Sequence, residues 1–381
     1  MAHPNIEKLT AAGQSLWQDD ITRSMLTSGA LERMIEETGI RGLTSNPTIF
    51  EKAIASGDAY DEQILKLLEV GKSADEIFEA VEIQDLQAAC DLFRPLYDRS
   101  DGADGFCSIE VFPDAARNPD STREQARHLW SEVGRPNLMV KIPGTQEATP
   151  VIREMLASGI NINVTLLFSI ESYERVALAY VEALEERHER GERIDRVASV
   201  ASFFVSRVDV LVDKLLDEKI AAGAANAAHL EALKGKIAVA NAKLAYAKYQ
   251  EIFEGERFAP LAAAGAMPQR PLWASTGVKN PAYPDTLYVD TLIGPNTVNT
   301  MPGKTIEAFL DHGAVARTVD QGVDEARQWM ADLHAAGIDI DVVTHQLEEE
   351  GIASFVKSFG SLISGVEGKK NQIAEAVGAT A

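Results

Sequence analysis

Short apolar segments alternate with long amphipathic ones along this 381-residue chain, and that alternation limits its fold more than any other feature. The strand-like segments are Ser15–Asp19, Gly42–Asn46, Cys107–Val111, Leu138–Pro143, Ile162–Phe168, Val200–Val205, Pro271–Ser275 and Thr297–Met301. Helical periodicity fills the spaces between them, as in Leu31–Thr38, Ala59–Val70, Ser121–Val133, Ile170–Arg187 and Val208–Ala221. Strand–helix alternation implies a mainly parallel sheet. Eight such strands predict an α/β fold of the closed (β/α)8 type, a TIM barrel, rather than an open doubly wound sheet. No glycine-rich nucleotide fingerprint follows the first strand, which also weighs against a dinucleotide fold.

Two connections are too long for one helix. They lie near 47–105 and 206–270, and both carry strong helical patterns, such as Ala74–Phe93 and Ala224–Phe253. They are expected to be helical insertions on the outside of the barrel. Beyond the last strand, a C-terminal extension over 302–381 continues as helices Gly303–His312, Asp320–Ala336 and Ile340–Gly360. No low-complexity linker divides the chain, so residues 1–381 are expected to form a single elaborated barrel domain.

The formal net charge is −22, which argues against binding to nucleic acid or to an anionic membrane surface. An anionic substrate would therefore need a local cationic pocket. The two cysteines, Cys90 and Cys107, imply no disulfide framework and suit a reducing compartment. Met1 to Gln14 lacks an apolar signal core, and no apolar run is long enough to span a bilayer. The expectation is a cytoplasmic protein. Its acidic surface serves solubility or an interface, and an oligomer is compatible with it.

Strand parity sorts the polar residues. Alternate residues of a strand share a face, and in a barrel one face points inward. Lys141 lies mid-strand beside Met139, while Val140 and Ile142 point the other way. A lysine there loses water unless it is paired or neutral. Desolvation lowers a lysine's pKa, and a neutral amine is a nucleophile toward ketones. On this strand alone, a lysine snorkelling from an edge position competes with that reading. Ser108 and Glu110 share a face of the third strand, Asn163 and Thr165 share one with Leu167 in the fifth, and Thr44 aligns with Asn46 in the second. Asp19 ends the first strand, Ser202 lies in the sixth and Ser275 ends the seventh. Most of these fall at C-terminal strand ends, where barrel active sites lie. Glu110 and Lys141 alone would fit a buried salt bridge. Adding polar residues from several other strands makes a binding site the better explanation, because burying them is otherwise costly.

These residues also resemble a family. Gly42-Leu43-Thr44-Ser45-Asn46-Pro47-Thr48 is similar to the signature of transaldolases. Ser108-Ile109-Glu110-Val111, Val140-Lys141-Ile142-Pro143 and Ile162-Asn163-Val164-Thr165-Leu166-Leu167-Phe168 resemble the family's next three strands in order. The likeness continues through Ser202-Phe203-Phe204-Val205-Ser206-Arg207 and Leu272-Trp273-Ala274-Ser275. It implies transfer of a dihydroxyacetone unit from a ketose phosphate to an aldose phosphate, in the non-oxidative pentose phosphate pathway. By position it makes Lys141 the Schiff-base lysine, Glu110 and Thr165 the pair holding a catalytic water, and Asp19 the acid/base for carbon–carbon cleavage. It places Asn46 and Asn163, with Thr44 beside them, at the dihydroxyacetone hydroxyls, and Ser202, Arg207 and Ser275 at the phosphate. The chain departs from the better-known members two residues after Ser275, where they carry an arginine. Here the run is Ser275-Thr276-Gly277-Val278-Lys279, and Lys279 is assigned to the phosphate in its place, with a solvated lysine as the competing reading.

The chemistry that follows requires no cofactor, because a protonated imine on Lys141 accepts the electrons released by cleavage. The seven histidines lie outside the strands and show no metal-motif spacing, so no metal is expected. Two other functions remain open at this level. One is an aldolase related to fructose-6-phosphate aldolase, releasing free dihydroxyacetone. The other is a non-catalytic sugar-phosphate-binding barrel, which the joint presence of Lys141 and Glu110 disfavours.

Overall fold

The computed structural model describes residues 2–45 and 47–378. Asn46, one of the residues singled out above, lies outside the described residues. Eight parallel strands close into a barrel in sequence order. They are β1 (Gln14–Gln18), β2 (Gly42–Thr44), β3 (Phe106–Glu110), β4 (Leu138–Pro143), β5 (Ile162–Leu167), β6 (Ser199–Phe204), β7 (Arg270–Ala274) and β8 (Thr297–Met301). Each expected strand is present within a residue or two of its expected bounds, so Asp19 and Ser275 lie just past their strands.

Along the barrel axis, the inward side chains change character in three steps. At the N-terminal end, Asp104 is buried between two guanidinium groups. It accepts from Arg41 at 2.6 Å, from Arg270 at 3.1 Å and from the Ser15 hydroxyl at 2.7 Å. The middle is apolar, with Trp17, Phe106, Met139, Val200, Leu272 and Val298 all buried. Trp17 fills this layer because residue 42 is glycine: a Cβ there would lie 2.6 Å from the indole Cε2 and 2.8 Å from the Phe106 carbonyl oxygen. The C-terminal end is polar and open.

One expected facing is wrong. Leu167 does not share a face with Asn163 and Thr165. The pairing of β5 with β6 slips between Val164 and Leu167, and Leu166 takes a left-handed conformation with φ 58°. The extra residue turns Leu166 toward the mouth and sends Leu167 into the outer core.

Both long connections are helical. Pro47–Ser56, Asp61–Glu69 and Ala74–Arg99 occupy the first, and Ser206–Ala221, Ala227–Leu233, Ile237–Phe253 and Ala259–Ala263 the second. The helical pattern over Ala224–Phe253 is interrupted at Gly235, which sits at φ +70° and donates its N–H to Asp213. Leu31–Thr38 begins as a short α-turn and ends as the π-turn Met34–Thr38. The last helix, Ile340–Gly378, runs well past the expected stop at Gly360, because Leu362 and Val366 one turn apart are fully buried. It packs on helices Pro47–Ser56 and Ala74–Arg99 and passes over the end of β5. Among the described residues, no helix is long and apolar enough to cross a membrane.

Removing Asp104 would leave the half-buried Arg41 and Arg270 without their shared counter-charge. Asp104→Ala is expected to destabilise the fold by about 3–5 kcal/mol in urea unfolding, the scale for breaking a buried ion pair. A loss below about 1 kcal/mol would show that water replaces the carboxylate at little cost.

Candidate active site

The open end of the barrel holds a cavity of about 290 Å³. Nine of the sequence-selected residues line it: Asp19, Thr44, Glu110, Lys141, Thr165, Ser202, Arg207, Ser275 and Lys279. The register explains the convergence. Glu110 pairs with Lys141, Lys141 with Asn163 and Pro143 with Thr165, so neighbouring strands deliver polar groups at nearly one level.

Lys141 is the centre of this arrangement. Its Nζ lies 3.0 Å from Glu110 Oε2, and its side chain opens into the cavity. Glu110 is buried. That burial pushes its carboxyl above the usual range, while the Lys141 charge and hydrogen bond pull it back down. Among the described residues the buried Thr165 hydroxyl has no hydrogen-bond partner, which suits it to hold a small polar molecule beside the pair.

Asp19 is anchored by its N–H to the Met301 carbonyl at 3.1 Å. Thr44 donates to its carboxylate at 3.1 Å and lies 3.1 Å from the Thr300 hydroxyl. Burial raises the Asp19 carboxyl to about 6, although the charges of Lys141 and Lys279 and the bond from Thr44 oppose the shift. Asp19 therefore changes protonation close to neutral pH, as a proton-transfer group must.

Asn163 takes a different place from the one expected. It is fully buried beneath the cavity, donates to the Ser108 hydroxyl at 3.0 Å and accepts from the Ser202 hydroxyl at 2.7 Å. It orients Ser202, which does line the cavity.

The cationic side is built by Arg207 and Lys279. Arg207 stands in the first turn of helix Ser206–Ala221, 5.5 Å from the centre of the Phe204 ring, and forms no ion pair among the described residues. Ser275, held at φ 56°, places its hydroxyl 2.9 Å from that of Ser206. The Lys279 ammonium lies close to the Gly277 backbone, 3.9 Å from where a Cβ would stand. Lys279 lines the cavity, where the sequence had left a solvated lysine as the competing reading. Three cations face two carboxylates here, a local reversal of the chain's net charge of −22.

Two contributors escaped the sequence. One face of the C-terminal helix, Gly351, Ser354, Phe355 and Ser358, roofs the cavity. Its three- and four-residue spacing was visible, but nothing in the sequence indicated that the helix crosses the mouth. The other is Glu82, buried on helix Ala74–Arg99. Burial, then the nearby Glu110 charge, raises it to about 8, against the influence of Ser45 and Lys141. Its signal was present: Glu82 falls among Phe78, Val81, Asp85 and Leu86 on the buried face of its helix.

The sequence profile of the family described as Transaldolase/Fructose-6-phosphate aldolase matches residues 16–366. A protein named Transaldolase from Trichodesmium erythraeum is 48% identical over 95% of this chain and 96% of its own length. Transaldolase 2 from a Nostoc species is 46% identical, covering 97% of this chain and 98% of its own. A protein named Transaldolase from Mycolicibacterium paratuberculosis is 49% identical across 95% of this chain and 96% of its own. With a closed eight-stranded barrel and a match over nearly its full length, the chain belongs to the Transaldolase/Fructose-6-phosphate aldolase family.

Proposed function

We propose that this chain is a transaldolase acting through an imine on Lys141. The observation that carries the reading is a lysine inside the barrel, opening into a cavity and 3.0 Å from a buried glutamate. In the proposed cycle, the neutral amine of Lys141 attacks C2 of a ketose phosphate, fructose 6-phosphate or sedoheptulose 7-phosphate. Glu110, through a water held by Thr165, supplies and removes the protons needed to expel hydroxide from the carbinolamine as water. Asp19 takes the proton of the C4 hydroxyl. The C3–C4 bond breaks, its electrons pass to the imine nitrogen through C2, and an aldose phosphate departs. The remaining enamine attacks the aldehyde of a second aldose phosphate, and hydrolysis of the new imine releases the product.

Asn46, Thr44 and Asn163 are assigned to the dihydroxyacetone end, Asn163 acting through Ser202. Arg207, Ser275 and Lys279 are assigned to the phosphate. A guanidinium with no ion pair among the described residues matches two phosphate oxygens. The helix across the mouth favours transfer to a second sugar over release of free dihydroxyacetone, because it limits the water that can reach and protonate the enamine carbon. The same reading takes the barrel, its helical insertions and the C-terminal extension as one domain of a cytoplasmic enzyme of the pentose phosphate pathway.

Borohydride added with fructose 6-phosphate should trap a reduced dihydroxyacetone adduct on the peptide containing Lys141. Lys141→Met should abolish both adduct and turnover while the protein stays folded. Mapping of the adduct to another lysine would refute the mechanism. Glu110→Gln should lower kcat by roughly two to four decades, the usual scale of acid/base catalysis, and a near-normal rate would return Glu110 to a structural role.

Asp19 yields a paired expectation for stability and rate. Its folded-state pKa is raised to about 6, so ionisation costs the folded protein more than the unfolded chain. That cost is absent below about pH 4 and grows as pH rises to about 6. Asp19→Asn should therefore stabilise the protein at pH 7 by up to about 3 kcal/mol and gain nothing near pH 4. It should also lose carbon–carbon cleavage yet still form the trapped imine. In the wild type, cleavage should slow as pH falls through about 6. Unfolding curves at both pH values, with adduct mapping of the variant, test this; equal stability gains at the two pH values would contradict it.

A further inference from the structure

Resting on the transaldolase reading, we infer that Ser354 and Ser358, on the underside of the C-terminal helix, are substrate-binding residues that donate hydrogen bonds to the phosphate end of the sugar. Gly351 lies three or four residues from Ser354 and Phe355, and these from Ser358, so all four share one helix face and line the cavity, Ser354 at its exposed rim, while Val356 and Lys357 face solvent. The helix lies low over the barrel at this point. A Cβ on Gly351 would come 3.2 Å from Leu166 and 3.5 Å from the Phe168 ring. Glu350, on the neighbouring position, acts electrostatically on Arg207. The turn from Glu350 to Ser354 therefore stands beside the guanidinium assigned to phosphate.

Neither serine hydroxyl has a hydrogen-bond partner among the described residues. The Ser275 hydroxyl, by contrast, is shared with Ser206. A phosphate monoester presents three terminal oxygens. Arg207 can engage two of them as a fork, and Lys279 acts as a compact charge from one side. Both cations reach in from the barrel, so the face of the phosphate toward the roof needs donors from above. Two hydroxyls there fill that need without adding charge, and the two cations already balance a dianion. Phe355, between them, forms an apolar wall.

The test is a Ser354→Ala/Ser358→Ala double variant, with Ser358→Asp as a second probe. A hydrogen bond to a charged group corresponds to about a tenfold change or more in affinity. The double variant should raise KM for fructose 6-phosphate at least about tenfold and weaken binding of inorganic phosphate, measured by calorimetry, by a similar factor. It should leave KM for unphosphorylated fructose unchanged. Ser358→Asp should weaken phosphate binding further, through like-charge repulsion. Unchanged phosphate affinity, or equal KM rises for both sugars, would overturn the assignment. Phosphate binding is read without turnover, so it decides on the serines even if wild-type enzyme forms no Lys141 adduct, a result that would instead reject the transaldolase reading.

Discussion

The pairing of Lys141 with Glu110 across adjacent strands is the interaction on which the rest of the site depends. An isolated ammonium or carboxylate at that depth would be too costly to keep charged, whereas side by side at 3.0 Å each offsets the other's desolvation. A pair that is only balanced has protons that can move. The barrel supplies the balance through its register, which sets Glu110 opposite Lys141, and through its axial layering. Trp17, Phe106 and Met139 seal the pair from below, and the polar level above keeps it in contact with the cavity.

Much of this was legible in the sequence because a strand's period of two is unforgiving. Once Met139 and Lys141 are known to share a face, the inward positions of β3 follow in register, and Glu110 falls opposite the lysine. The eight strands announced themselves as apolar runs between helices, and the barrel followed from their number. Parity failed only where the backbone leaves the regular strand. At Leu166 a left-handed residue inserts a bulge, which no pattern of apolar residues encodes. Asn163 was recognised as an interior residue, but its depth is a matter of three-dimensional stacking, and it ends up bonded to Ser108 and Ser202 rather than facing the cavity.

Helices were harder to place than to detect. Gly360 looks like a stop, yet an internal glycine costs a helix only about 1 kcal/mol, and the burial of Leu362 and Val366 outweighs it. Similarly, Glu82 was visible as an acid on an apolar helix face, but its proximity to Glu110 depends on how that helix docks. The assignment of Lys279 was left open by spacing alone, since whether its side chain reaches the cavity depends on the path of the loop after β7.

The roof helix rests on two abutments. On one side Arg117 joins Glu349 and Glu147, and on the other Lys369 reaches Asp61 at 2.7 Å and the Gly57 carbonyl at 2.8 Å. Between those anchors Phe359, Leu362 and Val366 seat the helix, while Ser354 and Ser358 on the cavity side form no hydrogen bond among the described residues. The imine chemistry proposed for Lys141 is embedded in strands where a change of one residue disturbs several neighbours. The ceiling is a separate beam whose serines, unlike Gly351 against Leu166, can be altered without pressing on the strands. Selection could therefore retune which sugars the enzyme admits while leaving its bond-breaking apparatus untouched, dividing the molecule into a conservative floor and an adaptable ceiling.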